Sequence, residues 1–441
     1  MSEPRPRAFI NARLVDPATE TDGPGGLLVR LGRIEAVGPG FFNAQGISPD
    51  YERIDCGGHV LAPGLVDMAV SIGEPGAEHK ETIGSASLAG AAGGVTTLIM
   101  MPNTDPVIDD ASLVDFVRRR ARDTAVVRVH PMAALTKGTE GKVTSEMALL
   151  GDAGAVGFTD GPKSIANTRV FRRALEYSRS VDGLVVHHAQ DEALAAGGQM
   201  NEGELSTRLG LQGIPAEAES IIVERDMALV GLTGARYHLA QISCPQSLET
   251  LRRAKDRGLK VTAATTPHHL ALNEIDIATY RTFHKTLPPL RSEPVRLALV
   301  EALREGLIDV VASHHDPRGP EEKRLPFEEA AFGAVGLESL LPVLLELVHG
   351  NALPLTTALR AVTSTPADLL GLHAGRLATG RPADLVLIDL DEPYIFGKDQ
   401  LLSKSKNTPF DGRRFQGRAA LTTLSGRIVH SRLKDYPKDA A

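Results

Sequence analysis

Aromatic residues and cysteines are scarce in this chain of 441 residues. It contains no Trp, aromatic residues make up only 4% of it, and its two cysteines are Cys56 and Cys244. The core must therefore be built from Leu, Val, Ile and Ala, and a hydrophobic content of 42% is enough to build a large one. Two cysteines exclude a disulfide framework and a cysteine-rich zinc site, and they fit a reducing compartment.

Long apolar runs and an excess of positive charge are also missing. The sequence has no run of about 18 apolar residues that would predict a membrane span, and no signal-peptide pattern stands at its start. Its net charge of −7 disfavours nucleic acid or an anionic membrane as the main partner. We therefore expect a cytoplasmic protein that binds neither.

Hydrophobic patterning divides the chain into two similar ends and a different middle. Alternation around glycine turns near both termini predicts strands, and the simplest arrangement joins the two ends in one small β domain, a β-sandwich. In the middle, apolar strands alternate with amphipathic helices, which is typical of a parallel sheet. Eight such units favour a closed (β/α)₈ TIM barrel. We predict a barrel over residues 62–370, with residues 1–61 and 371–441 forming the β domain.

Polar side chains follow the eight predicted strands, where the functional sites of such barrels lie. The predicted strands are GLVDMAVS (64–71), GVTTLIMMP (94–102), VVRVHPMAA (126–134), GAVGFTD (154–160), LVVHHA (184–189), YHLAQIS (237–243), KVTAATTPH (260–268) and IDVVASHH (308–315). Their ends carry Ser71, Asn103, Asp160, Gln241 and several histidines, among them His188, His268, His269, His314 and His315. His, Asp and Asn at successive strand ends are typical of a metallohydrolase site.

An ordered set of motifs resembles one family over nearly the whole chain. The set includes APGLVDM with EPG, GGVTTLIMMPNTDPV, GFTDG, VTAATTPHHLALNE, LPPLRSE, FGAVGLESLLP, and KNTPF near the end. These motifs resemble the dihydroorotases of the amidohydrolase superfamily, in the class that associates with aspartate carbamoyltransferase. Allantoinases and hydantoinases share part of the pattern.

The resemblance implies a metal-dependent reaction at the strand ends. Active members of the family use one or two Zn²⁺ ions to activate a hydroxide that opens a cyclic amide. An Asp after the eighth strand moves the proton, while an Arg and Asn residues hold the substrate. Carried over to this chain, the family pattern retains the substrate-binding Asn as Asn103 and two metal ligands as Asp160 and His188.

The other positions of the family pattern are replaced. The HxH pair of the first strand falls on Ala69 and Ser71, and the substrate-binding Arg falls on Gly73. The histidine ligand of strand six, the Asn of NPPLR and the catalytic Asp fall on Gln241, Leu287 and His314. Because neither Ala nor Gln is a usual zinc ligand, these replacements predict that no binuclear centre forms.

Three hypotheses follow. The first is a non-catalytic subunit, a pseudoenzyme of pyrimidine biosynthesis that forms an oligomer with aspartate carbamoyltransferase. The second is an active dihydroorotase, or an allantoinase- or hydantoinase-like hydrolase, with a single Zn²⁺ held by Asp160, His188 and His314, where His314 could also act as the base. The third is a stand-alone binding protein that uses the pocket where active family members carry out the reaction. The expected cofactor is therefore none or one Zn²⁺.

Overall fold

The computed structural model describes residues 5–439, and its first strands come from the N-terminal end of the chain. These strands are β1 (Arg7–Asp16), β2 (Thr21–Arg30), β3 (Arg33–Gly38), β4 (Glu52–Asp55) and β5 (Val60–Pro63). β1 pairs antiparallel with β2 and parallel with β4 and β5. The predicted strand pattern of the first 61 residues is thus present.

The middle of the chain supplies the parallel strands. They are β6 (Leu65–Val70), β7 (Val95–Met100), β8 (Arg128–Pro131), β9 (Leu184–His187), the short pair β10 (Met200–Asn201) and β11 (Gly213–Ile214), then β12 (Arg236–Leu239), β13 (Val261–Thr265) and β14 (Val310–Val311). β6, β7 and β8 form one parallel sheet, while β9, β12, β13 and β14 form another. Seven of the eight predicted strands are therefore strands.

The predicted fourth strand, residues 154–160, is the exception. It contributes only isolated parallel bridges, in which Phe158 pairs with Ala133 on one side and Val185 on the other. These bridges connect the two parallel sheets, and a further bridge pairs Val70 with His315. Gly154 and Gly157 lie within this segment, and glycine weakens a strand because it adds no packing side chain.

Helices alternate with these strands, as the sequence predicts. They are α1 (Ile83–Ala92), α2 (Ala111–Thr124), α3 (Met147–Ala153), α4 (Thr168–Ser180), α5 (Glu192–Ala195), α6 (Glu204–Leu209), α7 (Glu217–Thr233), α8 (Pro245–Asp256), α9 (Pro267–Ala271), α10 (Glu293–Arg304), α11 (Pro320–Lys323), α12 (Leu340–His349), α13 (Leu355–Arg360) and α14 (Ser364–Leu369). Polar caps fix several starts; the Asn167 side chain accepts hydrogen bonds from two backbone N–H groups of α4. Within residues 5–439, no helix combines the length and apolar character that crossing a membrane requires.

Three strands near the C-terminus complete a sheet with the N-terminal strands. They are β15 (Leu385–Ile395), β16 (Arg414–Leu424) and β17 (Arg427–Ser431). β15 pairs antiparallel with β5, which gives the strand order β17-β16-β15-β5-β1-β2-β3. One apolar cluster on this sheet combines Phe9 and Leu27 with Leu385 and Leu421, so the two ends share one core. The pairings form a single sheet, and the two-layered sandwich stays a prediction.

A separate apolar cluster lies between the parallel strands. It includes Met68, Ala69, Ile99, Val186 and Ala264 and contains no aromatic residue. We call it the inner cluster. Its members are aliphatic or Met side chains, in keeping with the low aromatic content of the chain. The cluster supports the strand ends on which the candidate site is built.

Candidate functional site

The first position of the expected HxH pair has become part of the apolar interior. Ala69 is only 6% exposed and packs in the inner cluster. Two residues later, Ser71 accepts a hydrogen bond from the Asn103 amide at 3.5 Å. A methyl group cannot bind zinc, and zinc sites are built from His, Cys and carboxylate side chains. The end of β6 therefore supplies no such ligand.

The position of the expected substrate-binding Arg is closed by the backbone itself. A Cβ atom on Gly73 would lie 2.2 Å from the carbonyl oxygen of Ala77. The turn is tight because the Ala77 N–H donates to the Gly73 carbonyl at 2.5 Å. No larger side chain fits at residue 73 unless this turn moves.

Asp160, the retained carboxylate, is buried and already bonded. Its Oδ1 accepts from the Thr136 backbone N–H at 2.8 Å, and its Oδ2 accepts from the Thr136 hydroxyl at 2.5 Å. Burial raises the pKa of Asp160, while the two bonds from Thr136 oppose that rise. Thr136 therefore donates one hydrogen bond to each oxygen of Asp160, and each oxygen keeps a second lone pair.

The two adjacent histidines at the end of β9 take different environments. The His187 Nδ1 lies 2.7 Å from Asp226 Oδ2, and its Nε2 accepts from the Ile165 N–H at 3.1 Å, so Nδ1 carries the proton. Successive strand residues face opposite sides, and His188 instead contacts Gln241. The prediction that only one histidine of this pair serves the strand-end site agrees with these contacts.

His188 is paired with the residue that replaces the strand-six ligand. Its Nδ1 lies 3.1 Å from Gln241 Oε1, and the Gln241 amide donates to the Leu287 carbonyl at 3.4 Å. Burial, followed by the charges of His314 and His187, lowers the pKa of His188 to about 3. The ring is neutral at physiological pH, and its Nε2 is buried with no hydrogen-bond partner among the described residues.

The histidines of the seventh and eighth strands have different partners. His269 contacts the Thr266 hydroxyl at 2.8 Å and the Pro288 carbonyl at 3.1 Å, which fixes its ring. His268 stacks on Phe410 with ring centroids 5.6 Å apart. The Nδ1 of His315 accepts from the Gly336 N–H at 3.3 Å.

His314 occupies the position of the expected catalytic Asp with a left-handed backbone φ of 49°. Burial lowers the pKa of His314 to about 4. Such an imidazole is neutral and weakly basic near pH 7. It lines a cavity of about 270 Å³ together with Gln241, His268, Leu287 and Arg318, which we call the mouth cavity.

These residues do not fit the zinc centre that the family pattern implies. Among residues 5–439, no three His, Cys, Asp or Glu side chains are placed to hold one metal ion. The structure therefore does not bring Asp160, His188 and His314 together as a ligand set. Thr136 donates to both oxygens of Asp160, while Gln241 contacts only Nδ1 of His188.

The sequence patterns did not single out two charged residues that lie near the site, Asp67 and Arg318. Asp67 is fully buried in β6, and its Oδ1 accepts from the Ser313 N–H at 3.0 Å. Burial raises the pKa of Asp67 to about 6. Arg318 lines the mouth cavity and pairs with Asp316 at 2.7 Å. Asp67 could have been noticed as a charge inside an apolar strand, and Arg318 as a cation four residues after His314.

Comparison with known proteins identifies the family. Residues 58–247 match a family model described as dihydro-orotase-like, and residues 309–430 match one described as amidohydrolase family. A protein named dihydroorotase from Anaplasma phagocytophilum is 44% identical over 96% of this chain and 95% of its own length. Another from Desulforapulum autotrophicum is 41% identical over 96% of this chain and 99% of its own.

Solved structures support the same relationship at the level of the fold. The L-hydantoinase (dihydropyrimidinase) of Arthrobacter aurescens superposes with a TM-score of 0.87 at 26% identity, covering 98% of this chain and 97% of its own. The dihydropyrimidinase of Brevibacillus agri superposes with a TM-score of 0.83 at 20% identity, covering 97% and 95%. Together with the near full-length relatives, these matches show that the chain belongs to the dihydroorotase family of amidohydrolases.

Proposed function

We propose that this dihydroorotase-family chain is a non-catalytic subunit of pyrimidine biosynthesis that assembles with aspartate carbamoyltransferase. One observation carries the proposal. The family's ligands on the first and sixth strands are replaced by Ala69, Ser71 and Gln241, and no three His, Cys, Asp or Glu side chains within residues 5–439 are placed to hold one metal ion. A site without a metal-binding set cannot activate water as the family reaction requires.

The fold that we infer for this role is a closed (β/α)₈ barrel with an attached β-sandwich. The bridges of Phe158 to Ala133 and Val185, and of Val70 to His315, support closure because they link the ends of the two parallel sheets. Shared apolar packing of the N- and C-terminal strands supports a single β domain.

The partner is inferred from the resemblance of the sequence to the class of dihydroorotases that binds the transcarbamoylase. Stable assemblies bury about 1,200–2,000 Å² of surface. Either the loops at the strand ends or the β domain could provide that area. The proposal assigns the chain the task of holding the transcarbamoylase in a larger oligomer.

Expressing the two chains together and apart tests the assembly. We expect this chain to co-purify with the transcarbamoylase in a complex larger than either alone, and to raise the stability or activity of its partner. If the transcarbamoylase has the same size, stability and activity without this chain, the assembly role is wrong.

An active hydrolase with a rewired mononuclear site is the second candidate, and the unpartnered Nε2 of buried His188 favours it. Metal content and dihydroorotate turnover of a chelator-free preparation distinguish the two candidates. The protein should be made in a host without its own dihydroorotase, so that contaminating enzyme cannot contribute. We expect less than one zinc per chain and no turnover in either direction.

A matched pair of variants makes this comparison sharper. His188→Asn alters the strand-end histidine, whereas His238→Asn alters a buried histidine that contacts Thr262 instead. Turnover that is lost in His188→Asn but kept in His238→Asn, together with stoichiometric zinc, would establish the rewired hydrolase.

A further inference from the structure

A second and larger cleft lies beside the mouth cavity. Its volume is about 570 Å³, and it is lined by His79 and by residues 280–283, 318–320, 323–324, 398–399 and 404–407. Arg318 lines both this cleft and the mouth cavity. Its volume is in the range of about 300–1,000 Å³ that is common for small-molecule sites. We call it the basic cleft.

Three cations of the basic cleft are not neutralised by hydrogen bonds to carboxylates. The ammonium groups of Lys404 and Lys406 donate to backbone carbonyl oxygens at 2.6 to 2.7 Å, and Arg324 is exposed on the same wall. Lys323 also donates to carbonyl oxygens, but burial lowers its pKa to about 7, so we do not count it as a full charge. Carbonyl oxygens hold the other two ammonium groups in place without neutralising them, so these groups and Arg324 create a positive potential.

The other cations of the basic cleft are paired with carboxylates, so they add little to its positive charge. Arg281 and Lys398 share Asp411, at 2.9 and 3.8 Å. Arg318 pairs with Asp316 and lies 3.6 Å from Glu322. The only carboxylate that itself lines the cleft, within residues 5–439, is Asp399. A concentration of positive charge in a chain of net charge −7 favours an anionic ligand.

The wall formed by residues 401–407 is held by two carboxylates, Glu81 and Glu338, which lie just before α1 and α12. Buried Glu81 accepts hydrogen bonds from the Ser403 hydroxyl and the Lys404 N–H. Glu338 accepts from the N–H groups of Leu402 and Ser403, at 2.8 and 3.1 Å. A wall fixed in this way reduces the ordering cost of binding.

The C-terminal end of this wall, at Asn407, is bonded to the opposite side of the cleft. Asn407 accepts a hydrogen bond from the Arg318 N–H at 3.2 Å and donates to the carbonyls of Asp316 and Gly333. The cations of the two walls are therefore held at a set separation before any ligand arrives.

We propose that the basic cleft binds a phosphorylated small molecule. Phosphate oxygens accept charge-assisted hydrogen bonds from Lys and Arg, which are the side chains that this wall presents. Tyr280 and Phe283 also line the cleft and give it apolar surface for an organic group attached to the phosphate. The inference does not depend on whether the mouth cavity performs any reaction.

Calorimetric titration of the full-length protein in phosphate-free buffer tests the proposal. The probes are inorganic pyrophosphate, ATP and adenosine. We expect pyrophosphate, ATP or both to bind with a Kd below about 1 mM, and the binding to weaken as NaCl is raised. Equal binding of both indicates that phosphate alone is recognised, and tighter binding of ATP indicates a nucleotide.

A charge-reversal variant locates the binding. In Arg324→Glu plus Lys404→Glu, two exposed side chains of the cleft change sign, and we expect affinity to fall by about tenfold or more. The matched control is Arg122→Glu plus Lys142→Glu, which makes the same change of net charge at positions that are 72% and 75% exposed elsewhere on the surface. Its affinity should stay within about twofold of the wild type.

Three outcomes would overturn the proposal. They are no binding of either phosphorylated probe near about 1 mM, adenosine binding as well as ATP, and equal loss of affinity in the two charge-reversal variants. Circular dichroism of both variants shows whether each is folded. If the cleft pair does not fold, the milder Lys404→Met, compared with Lys142→Met, replaces it in the same titration.

Discussion

Thr136 engages both carboxylate oxygens of Asp160, one through its backbone N–H and the other through its hydroxyl. The carboxylate is therefore a buried acceptor that joins the segment around residue 136 to the strand-end segment at residue 160. This bonding gives a retained family ligand a structural role that can be measured without any assay of catalysis.

The first prediction concerns the stability that Asp160 provides. Asp160→Ala leaves the N–H and hydroxyl of Thr136 buried without this acceptor, and we expect the free energy of unfolding to fall by about 1–3 kcal/mol. The control Asp152→Ala removes an exposed carboxylate and should change it by less than about 0.5 kcal/mol. Urea denaturation measures both. Unchanged stability in Asp160→Ala, with loss of a bound metal, would instead assign Asp160 as a ligand.

The second prediction is that restoring two histidines does not restore hydrolysis. In Ala69→His plus Ser71→His, Gly73, Gln241 and His314 are still unsuited to the family reaction. The larger ring at position 69 must also fit in the inner cluster, and overpacking costs about 1–3 kcal/mol. Ser71→His alone is the control, because Ser71 is only partly buried. Efficient dihydroorotate turnover by the double variant would show that the other replacements matter little.

The third prediction concerns acid sensitivity. Burial lowers the pKa of His238 to about 3 in the folded protein, whereas it is about 6.5 in an unfolded chain. Because the unfolded state binds the proton first, stability is lost as the pH falls from about 6.5 towards 3, by up to about 1.4 kcal/mol per pH unit. We expect His238→Asn to lose less stability than the wild type between about pH 7 and about pH 5.

Urea unfolding at the two pH values measures this difference, and His79→Asn is its control. His79 is exposed, so its replacement should leave the pH dependence as it is in the wild type. An identical loss of stability in the wild type and in His238→Asn would contradict the assignment of acid sensitivity to this histidine.

The fourth prediction concerns the contact between the parallel strands and the sheet formed by both chain ends. Arg128 in β8 donates to Asp384 at 2.8 Å, and Asp384 also accepts from the Ser425 N–H at 2.7 Å. Asp384→Ala removes both bonds, and we expect a loss of about 1–3 kcal/mol in unfolding free energy. Asp391→Ala, at an exposed position of β15, is the control. Equal stability of the two variants would contradict a role for this contact.

Strand periodicity predicted most of the parallel strands and the facing of the histidines at the end of β9. It placed seven strands and separated His187 from His188, because alternation is a local property of the backbone. Residues 154–160 form isolated bridges through Phe158 and no continuous strand, although their backbone also bonds to residues 131–135 on one side and 184–186 on the other.

Long-range contacts could not be read from the sequence. The family pattern marks Asp160 as a ligand, but the bonds from Thr136 depend on how two separate segments meet. The same is true of the basic cleft, whose walls lie far apart in the chain and are joined by Asn407 and Arg318. Composition shows the total charge and gives no indication of where it concentrates.

The turn at Gly73 constrains how this chain could acquire the arginine that the family pattern has at this position. An arginine there requires the Ala77 carbonyl to move first, since a Cβ atom would stand 2.2 Å from that oxygen. We therefore expect Gly73→Arg alone to lower the free energy of unfolding unless a second substitution opens the turn, whatever advantage substrate binding could give. The backbone at this point thus limits which side chains residue 73 can carry.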